Sequence, residues 1–556
     1  MDRRRYLRAL GGASALGAGS GIGSANTGWW FSGPEVETES GTVEGEDEGD
    51  YHAFRGVPYA HQPVGERRFR PPETPAPSWE GTRDATDFGP LAPQPVLATS
   101  FLGVDVGKFV GEEDGCLNCN VWAPADADPG EKPVMFWIHG GAFNFGSNRF
   151  PGGNLAATGD VVVVAVNYRL NALGFFAHPE ITAENPSAPA NAGYLDVRAG
   201  LEWVQRNVEA FGGDPDNVTI FGESAGGHAV LTLLTDPETE GLFHRAISQS
   251  GPITDPLYSL SELEARGAEA AEELGCADGD ALACLREQDP ESLAEAYGVS
   301  GALAVGGDPD PDLPGVAQPG LVFGVDGEVV PEHPATRIAN GDFHDVPVIA
   351  GGNADEYQFF LEFAGDTVPE SATAYDDWLD AAYGRFADRV RDAYPADAYD
   401  SLETAYVDLL SDEFFLCSDA AVVDAVRDHG GTAYRYVFDD TPTIPVTLLS
   451  EDPGAYHTAE LSYVFGQTVT QQGLPTGIMG PGDWKLRDRM QAYWSNFAES
   501  GDPNGSSGSD LPAWPAVDED HTKVRLREKT VAVETGTRAG CAVFRDVYDY
   551  LRSIGR

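Results

Sequence analysis

Short, nearly unbroken apolar runs recur along the chain, and each closes on glycine or polar residues. They are Val134-Met135-Phe136-Trp137-Ile138, Val161 to Val166, Asn217-Val218-Thr219-Ile220-Phe221, Val346-Pro347-Val348-Ile349-Ala350 and Ala433-Tyr434-Arg435-Tyr436-Val437-Phe438. Runs this short are strands, since a membrane span needs about 20 apolar residues. Their near-continuous apolar character fits strands covered on both faces, as in a parallel sheet between helices. Without its first 25 residues the chain has about 530, more than the usual single domain. The runs nevertheless interleave from Val134 to Phe438, which predicts one large α/β unit over residues 30–556.

Chemistry gathers where these runs end. Gly222-Glu223-Ser224-Ala225-Gly226 stands between the run ending at Phe221 and a small-residue helix start, Gly227-His228-Ala229-Val230. That spacing is the nucleophile-elbow pattern: a sharp strand-to-helix turn exposes a serine hydroxyl, and the flanking glycines let strand and helix approach. The helix beyond aims its N-terminal amides at developing negative charge. Upstream, Ile138 runs into His139-Gly140-Gly141-Ala142-Phe143, a glycine loop able to supply oxyanion-hole amides. In this arrangement an acid and then a histidine follow the serine. The chain offers Gly351-Gly352-Asn353-Ala354-Asp355-Glu356, then Tyr456-His457-Thr458-Ala459-Glu460.

With these motifs in order, the sequence resembles the type-B carboxylesterases, the family of cholinesterases and nitrobenzyl-type esterases. The likeness covers nearly the whole chain after residue 30. It includes Phe54-Arg55-Gly56-Val57-Pro58-Tyr59-Ala60, Arg68-Phe69-Arg70-Pro71-Pro72, Asn167-Tyr168-Arg169-Leu170, Phe211-Gly212-Gly213-Asp214-Pro215 and Ser248-Gln249-Ser250-Gly251. The resemblance implies an α/β-hydrolase fold, with a mostly parallel central sheet flanked by helices and large insertions forming a gorge and lid. It implies Ser224 as nucleophile, His457 as general base and Glu356 as orienting acid. Gly140, Gly141 and Ala225 would be the oxyanion donors, and Ser250 a support for the acid. Asp355 is the alternative acid; adjacent side chains point different ways, so only one can reach His457. His228, His244, His333 and His344 lack the family context and read as packing or surface groups. Phe143, Phe145 and Tyr357 are candidates for an acyl pocket. No cofactor or metal is implied.

The same resemblance pairs Cys276 with Cys284, and Cys417 with Cys541, which requires an oxidising compartment. Cys116-x-x-Cys119 departs from the family pattern, because Ala92 stands where the usual partner would be. These two can pair locally, stay reduced and buried, or bind metal. With no second Cys/His pair nearby, zinc is disfavoured.

At the N-terminus, Arg3-Arg4-Arg5-Tyr6-Leu7-Arg8 precedes a mildly apolar stretch to about Ala25, the pattern of a twin-arginine signal peptide over residues 1–25. That stretch is too short and glycine-rich for a stable membrane anchor. Acidic residues outnumber basic ones 89 to 35, a net charge of −54. Such self-repulsion favours compact folding only where salt screens it, and at molar salt the screening length is about 3 Å. The expectation is a secreted enzyme of a high-salt environment that binds neither nucleic acid nor acidic membranes. Gly306 to Pro314 and Asn504 to Ser509 read as surface loops, and the segment Pro95 to Gly111 lacks the tryptophan that a resemblance to the cholinesterases would place there for a quaternary-ammonium group. The expected substrate is a small-molecule ester. A lipase acting on long acyl chains and a non-catalytic binding protein on the same fold are the alternatives.

Overall fold

The computed structural model describes residues 33–95, 109–254, 256–298, 314–315, 323–363, 367–445, 453–471, 474–505, 511–527 and 530–555. The proposed signal peptide, the loop at residues 306–313 and parts of the segments at 95–111 and 504–509 lie outside them.

Eleven strands form the main sheet. In chain order they are β1 (Glu46–Asp47), β2 (Tyr51–Pro58), β3 (Asn118–Pro124), β4 (Lys132–Ile138), β5 (Val162–Val166), β6 (Gly213–Glu223), β7 (Arg245–Gln249), β8 (Val348–Asn353), β9 (Ala433–Phe438), β10 (Lys523–Leu526) and β11 (Val531–Glu534). Their spatial order is β11-β10-β9-β8-β7-β6-β4-β5-β3-β2-β1. From β10 to β5 all neighbours are parallel; the strands beyond at either edge pair antiparallel.

Strand alternation sorts the core into two layers. Phe136, Val164, Ile220, Ala246 and Val348 point into one. Helices α2 (Ala192–Asn207), α3 (Ala225–Thr235) and α4 (Cys417–Asp428) cover that face through residues such as Leu201, Val230 and Val423. Trp137, Val163, Phe221, Ile247 and Tyr436 point the other way, under α1 (Gly152–Gly159) and α5 (Trp484–Ser500), which bring Leu155, Met490 and Trp494. Each fully buried large apolar side chain contributes roughly 1.5–3 kcal/mol, so helices on both faces make the sheet a rigid platform. The C-terminal helix α6 (Cys541–Ser553) packs with the helix Ala372–Tyr383 in a further cluster. Disulfides join Cys276 to Cys284 and Cys417 to Cys541, the second tying α6 to α4. Cys116 and Cys119 are free, buried thiols whose pKa burial pushes up.

Candidate active site

The site lies at the carboxyl ends of β4, β6, β7, β8 and β9, where a parallel sheet concentrates chemistry. Ser224 joins β6 to α3 at φ 58°, ψ −124°, a conformation that a non-glycine residue adopts only when its surroundings enforce it. They do so here. The Ser224 amide donates to Gln249 O at 2.8 Å, and its carbonyl accepts from the His228 amide at 2.9 Å. The elbow glycines are sterically required. A Cβ on Gly226 would lie 2.0 Å from Ile138 O, and one on Gly222 would lie 2.5 Å from Gly226 O. Gly140 is held as tightly: its Cβ would sit 2.9 Å from Ser224 Cβ. The glycine loop is thereby pressed against the serine, with Gly141, Ala142 and Phe143 at positive φ. Ala225 opens α3 beside it.

Histidine and acid arrive from neighbouring strand ends. His457 Nδ1 is 2.6 Å from Glu356 Oε2. Glu356 Oε1 accepts from Ser250 Oγ at 2.5 Å and from the Asn353 amide at 2.7 Å. Asp355 turns away, and its carboxylate accepts from the Ala455 amide at 2.9 Å. Of the two candidate acids only Glu356 reaches the imidazole. His228 packs edge-on against Phe143 and Phe323, and burial lowers its pKa to about 3. His333 accepts from the Ala335 amide at the start of a helix, and His244 accepts from the Val218 amide. His344 hydrogen-bonds Asp236 O. None of the four is part of the His457 cluster.

Sequence reasoning missed the other side of the imidazole. His457 Nε2 faces Glu223 Oε1 at 3.0 Å, and among the described residues it makes no hydrogen bond to Ser224. Glu460 closes the cluster, accepting from Gln249 Nε2 at 3.0 Å and Asn353 Nδ2 at 2.7 Å. Burial opposes charge on His457, but Glu223 and then Glu356 outweigh it and carry its pKa up to about 9. Burial raises Glu223 to about 8 against the attraction of His457. The imidazole therefore holds its proton more firmly than a solvated histidine. Two signals for these acids were present in the chain: Glu223 directly precedes Ser224 in the elbow, and Glu460 lies three residues beyond His457.

The acyl-pocket expectation needs correction. Phe143 is buried against Phe323, Phe175 and Tyr168, and Tyr357 against Phe414, Phe360 and Tyr406, so both are core rings. Phe145 belongs to the same apolar cluster as Tyr357. The rings that face His457 are Phe360 and Phe415, with centroids 5.0 Å away, and Phe359 at 6.0 Å.

A strained serine at a glycine-flanked elbow, a glycine loop against it and a histidine–glutamate pair at adjacent strand ends make an arrangement chemically suited to acyl transfer. Comparison with known proteins agrees: the carboxylesterase family matches residues 32–544. The chain belongs to the carboxylesterase family. It is a carboxylic ester hydrolase. It is 33% identical over 507 residues to the para-nitrobenzyl esterase of Bacillus subtilis (strain 168), covering 90% of this chain and 96% of that protein. To the fumonisin B1 esterase of Sphingopyxis macrogoltabida it is 35% identical over 484 residues, covering 85% and 83%. Among solved structures, a carboxylesterase of Geobacillus stearothermophilus superposes with a TM-score of 0.75 at 33% identity, over 94% of this chain and 100% of that one. A PNB esterase superposes at 0.74 and 32% identity, over 92% and 99%. These members share the α/β-hydrolase fold seen in this carboxylesterase. Among its described residues no helix is long and apolar enough to cross a membrane, and no His, Cys, Asp and Glu group could hold a metal ion.

Proposed function

We propose that this carboxylesterase is a secreted serine esterase that hydrolyses small-molecule esters through an acyl-enzyme on Ser224. The observation that carries the reading is that the 2.6 Å His457–Glu356 pair meets the strained elbow of Ser224, His457 Nε2 lying 3.0 Å from Oε1 of Glu223, the residue before the serine. In the reaction, His457 in its neutral form, with the unprotonated Nε2 turned from Glu223 to Ser224, takes the hydroxyl proton as Oγ attacks the ester carbonyl. The amides of Gly140, Gly141 and Ala225 hold the oxyanion, each donor worth roughly 3 kcal/mol in the transition state. Glu356 stabilises the imidazolium and keeps Nε2 directed at the reacting atoms. His457 then returns the proton to the leaving alcohol. Water, activated the same way, cleaves the acyl-enzyme to release the carboxylic acid.

Phe359, Phe360 and Phe415 pack beside the base, with ring centroids 5.0–6.0 Å from the imidazole. Names of relatives, among them para-nitrobenzyl esterase and acylcarnitine hydrolase, support an ester substrate without fixing its acyl part. Twin-arginine export is supported by the N-terminal arginines and by two disulfides, which persist in oxidising surroundings. A high-salt habitat is supported by the net charge of −54 and by sharing of scarce cations: Arg391 alone serves Asp376, Asp380 and Asp388. Hydrolysis of p-nitrophenyl esters from acetate to long-chain acyl, assayed in concentrated salt, tests the reading. It predicts turnover that peaks at short chains and is lost on dilution into low salt. A long-chain maximum makes the protein a lipase, and full activity in low salt removes the halophilic part.

A further inference from the structure

Asp419 is a buried acid that the proposed reaction leaves unused. It lies in the first turn of α4, and neither of its carboxyl oxygens has a hydrogen-bond partner among the described residues. It faces Glu356 across the bare Cα of Gly352. A Cβ on that glycine would lie 2.7 Å from Glu356 Oε1 and 3.2 Å from Asp419 Oδ2, so the two oxygens are within about 6 Å of each other. Two carboxylates within this distance and shut away from water oppose each other's ionisation, which favours a proton on one of them.

The hydrogen bonds decide which group keeps it. Glu356 receives three donors: His457 Nδ1, Ser250 Oγ and the Asn353 amide. Donors of this kind stabilise the charged form. Asp419 receives none. Of the other groups that act on it, Glu460 opposes its ionisation and Arg435 on β9 favours it. Arg435 is itself fully buried, which disfavours its charge, and its Nη2 donates to Leu416 O at 2.7 Å. The Tyr436 hydroxyl is buried in the same region and feels the acids Glu460, Asp419 and Glu356. Burial is the largest influence on Asp419 and pushes its carboxyl well above the usual range.

We propose that Asp419 is a positioning residue that keeps a proton in the working enzyme, leaving Glu356 as the single negative charge at Nδ1 of His457. A second anion behind the imidazole would hold the imidazolium more tightly and withdraw the base from catalysis near neutral pH. The inference rests on Glu356 being the triad acid.

The test is Asp419→Asn in the full chain, in concentrated salt, with Asp419→Ala as the second variant should the amide not fit. Infrared difference spectra at neutral pH should show the carbonyl stretch of a protonated carboxyl in the wild type and its loss in either variant. The melting temperature supplies a second readout with a defined sign. A folded-state pKa raised above the unfolded value means that the wild type loses stability as pH rises above about 4, through the unfolded carboxyl range. The gap between Asn variant and wild type should therefore be small near that pH and widen in the variant's favour by neutrality. The acid limb of kcat/KM should stay at its wild-type position in the Asn variant, because the amide preserves a neutral neighbour. The proposal is overturned if the carbonyl band is unchanged, if the Asn variant is less stable than wild type at neutral pH, or if its acid limb moves down by about one unit. The last two outcomes would mark Asp419 as an anion paired with Arg435. Neither spectrum nor melting depends on catalysis, so failure of the triad reading shows separately, as near-wild-type turnover in Glu356→Gln.

Discussion

Two buried charge clusters in this carboxylesterase solve opposite problems. Arg169 and Asp196 form a closed pair: Arg169 Nε and Nη2 donate to the two carboxylate oxygens at 2.7 Å, and Nη1 donates to Arg70 O at 2.8 Å. One cation meets one anion, both fully buried. Around His457 the count is unbalanced. Glu223, Glu356 and Glu460 all act on one imidazole, and behind Glu356 lies a fourth acid, Asp419, on which Arg435 acts. A charge that only holds structure is balanced where it stands. Where a proton must move, the fold tolerates an excess of acid and so makes the site responsive to pH.

Substitutions can break this contrast, beginning with the largest effect. Ser224→Ala should lower kcat/KM by roughly 10⁶-fold while the melting temperature holds, because the acid cluster is left intact. Glu356→Gln should cost roughly 10⁴-fold, since the amide orients the imidazole but cannot stabilise its charge. Asp196→Ala should act on the other cluster, destabilising the fold by about 3–5 kcal/mol in denaturant titrations by stranding Arg169. Its acid limb of kcat/KM should stay in place.

The smallest effect sharpens the comparison most. His457 must be neutral to accept the serine proton, and a facing carboxylate favours its protonated form. The acid limb should therefore lie above the ordinary histidine value of about 6.5. Glu223→Gln should move it down by about one unit and extend activity to lower pH. An unmoved limb would mean that Glu223 does not govern the base.

The sheet and the elbow were legible in the sequence because backbone geometry imposes them. Buried parallel strands demand continuous apolar runs, and Gly222, Gly226 and Gly140 stand where any side chain would collide with backbone or with Ser224. Chain order after Ser224 led to an acid and a histidine near strand ends, and the family resemblance singled out Glu356 over Asp355 and named His457. The acid cluster was not legible. Glu223, Glu460 and Asp419 come from three distant segments and meet only after folding, and nothing in periodicity tells a buried carboxylate from a solvated one in so acidic a chain. The aromatic wall failed for a related reason. Phe143 and Tyr357 adjoin functional residues in sequence, yet their rings point into the core, whereas Phe415 arrives from the segment just before α4.

The central claim is that Ser224 is the nucleophile. Its most direct test is stoichiometric labelling with a phosphonate ester followed by peptide mass spectrometry, in concentrated salt. The account predicts one adduct per chain, on the peptide containing Ser224, with labelling abolished in Ser224→Ala and greatly slowed in His457→Ala. Adduct on another residue, or unchanged labelling of Ser224→Ala, would contradict it.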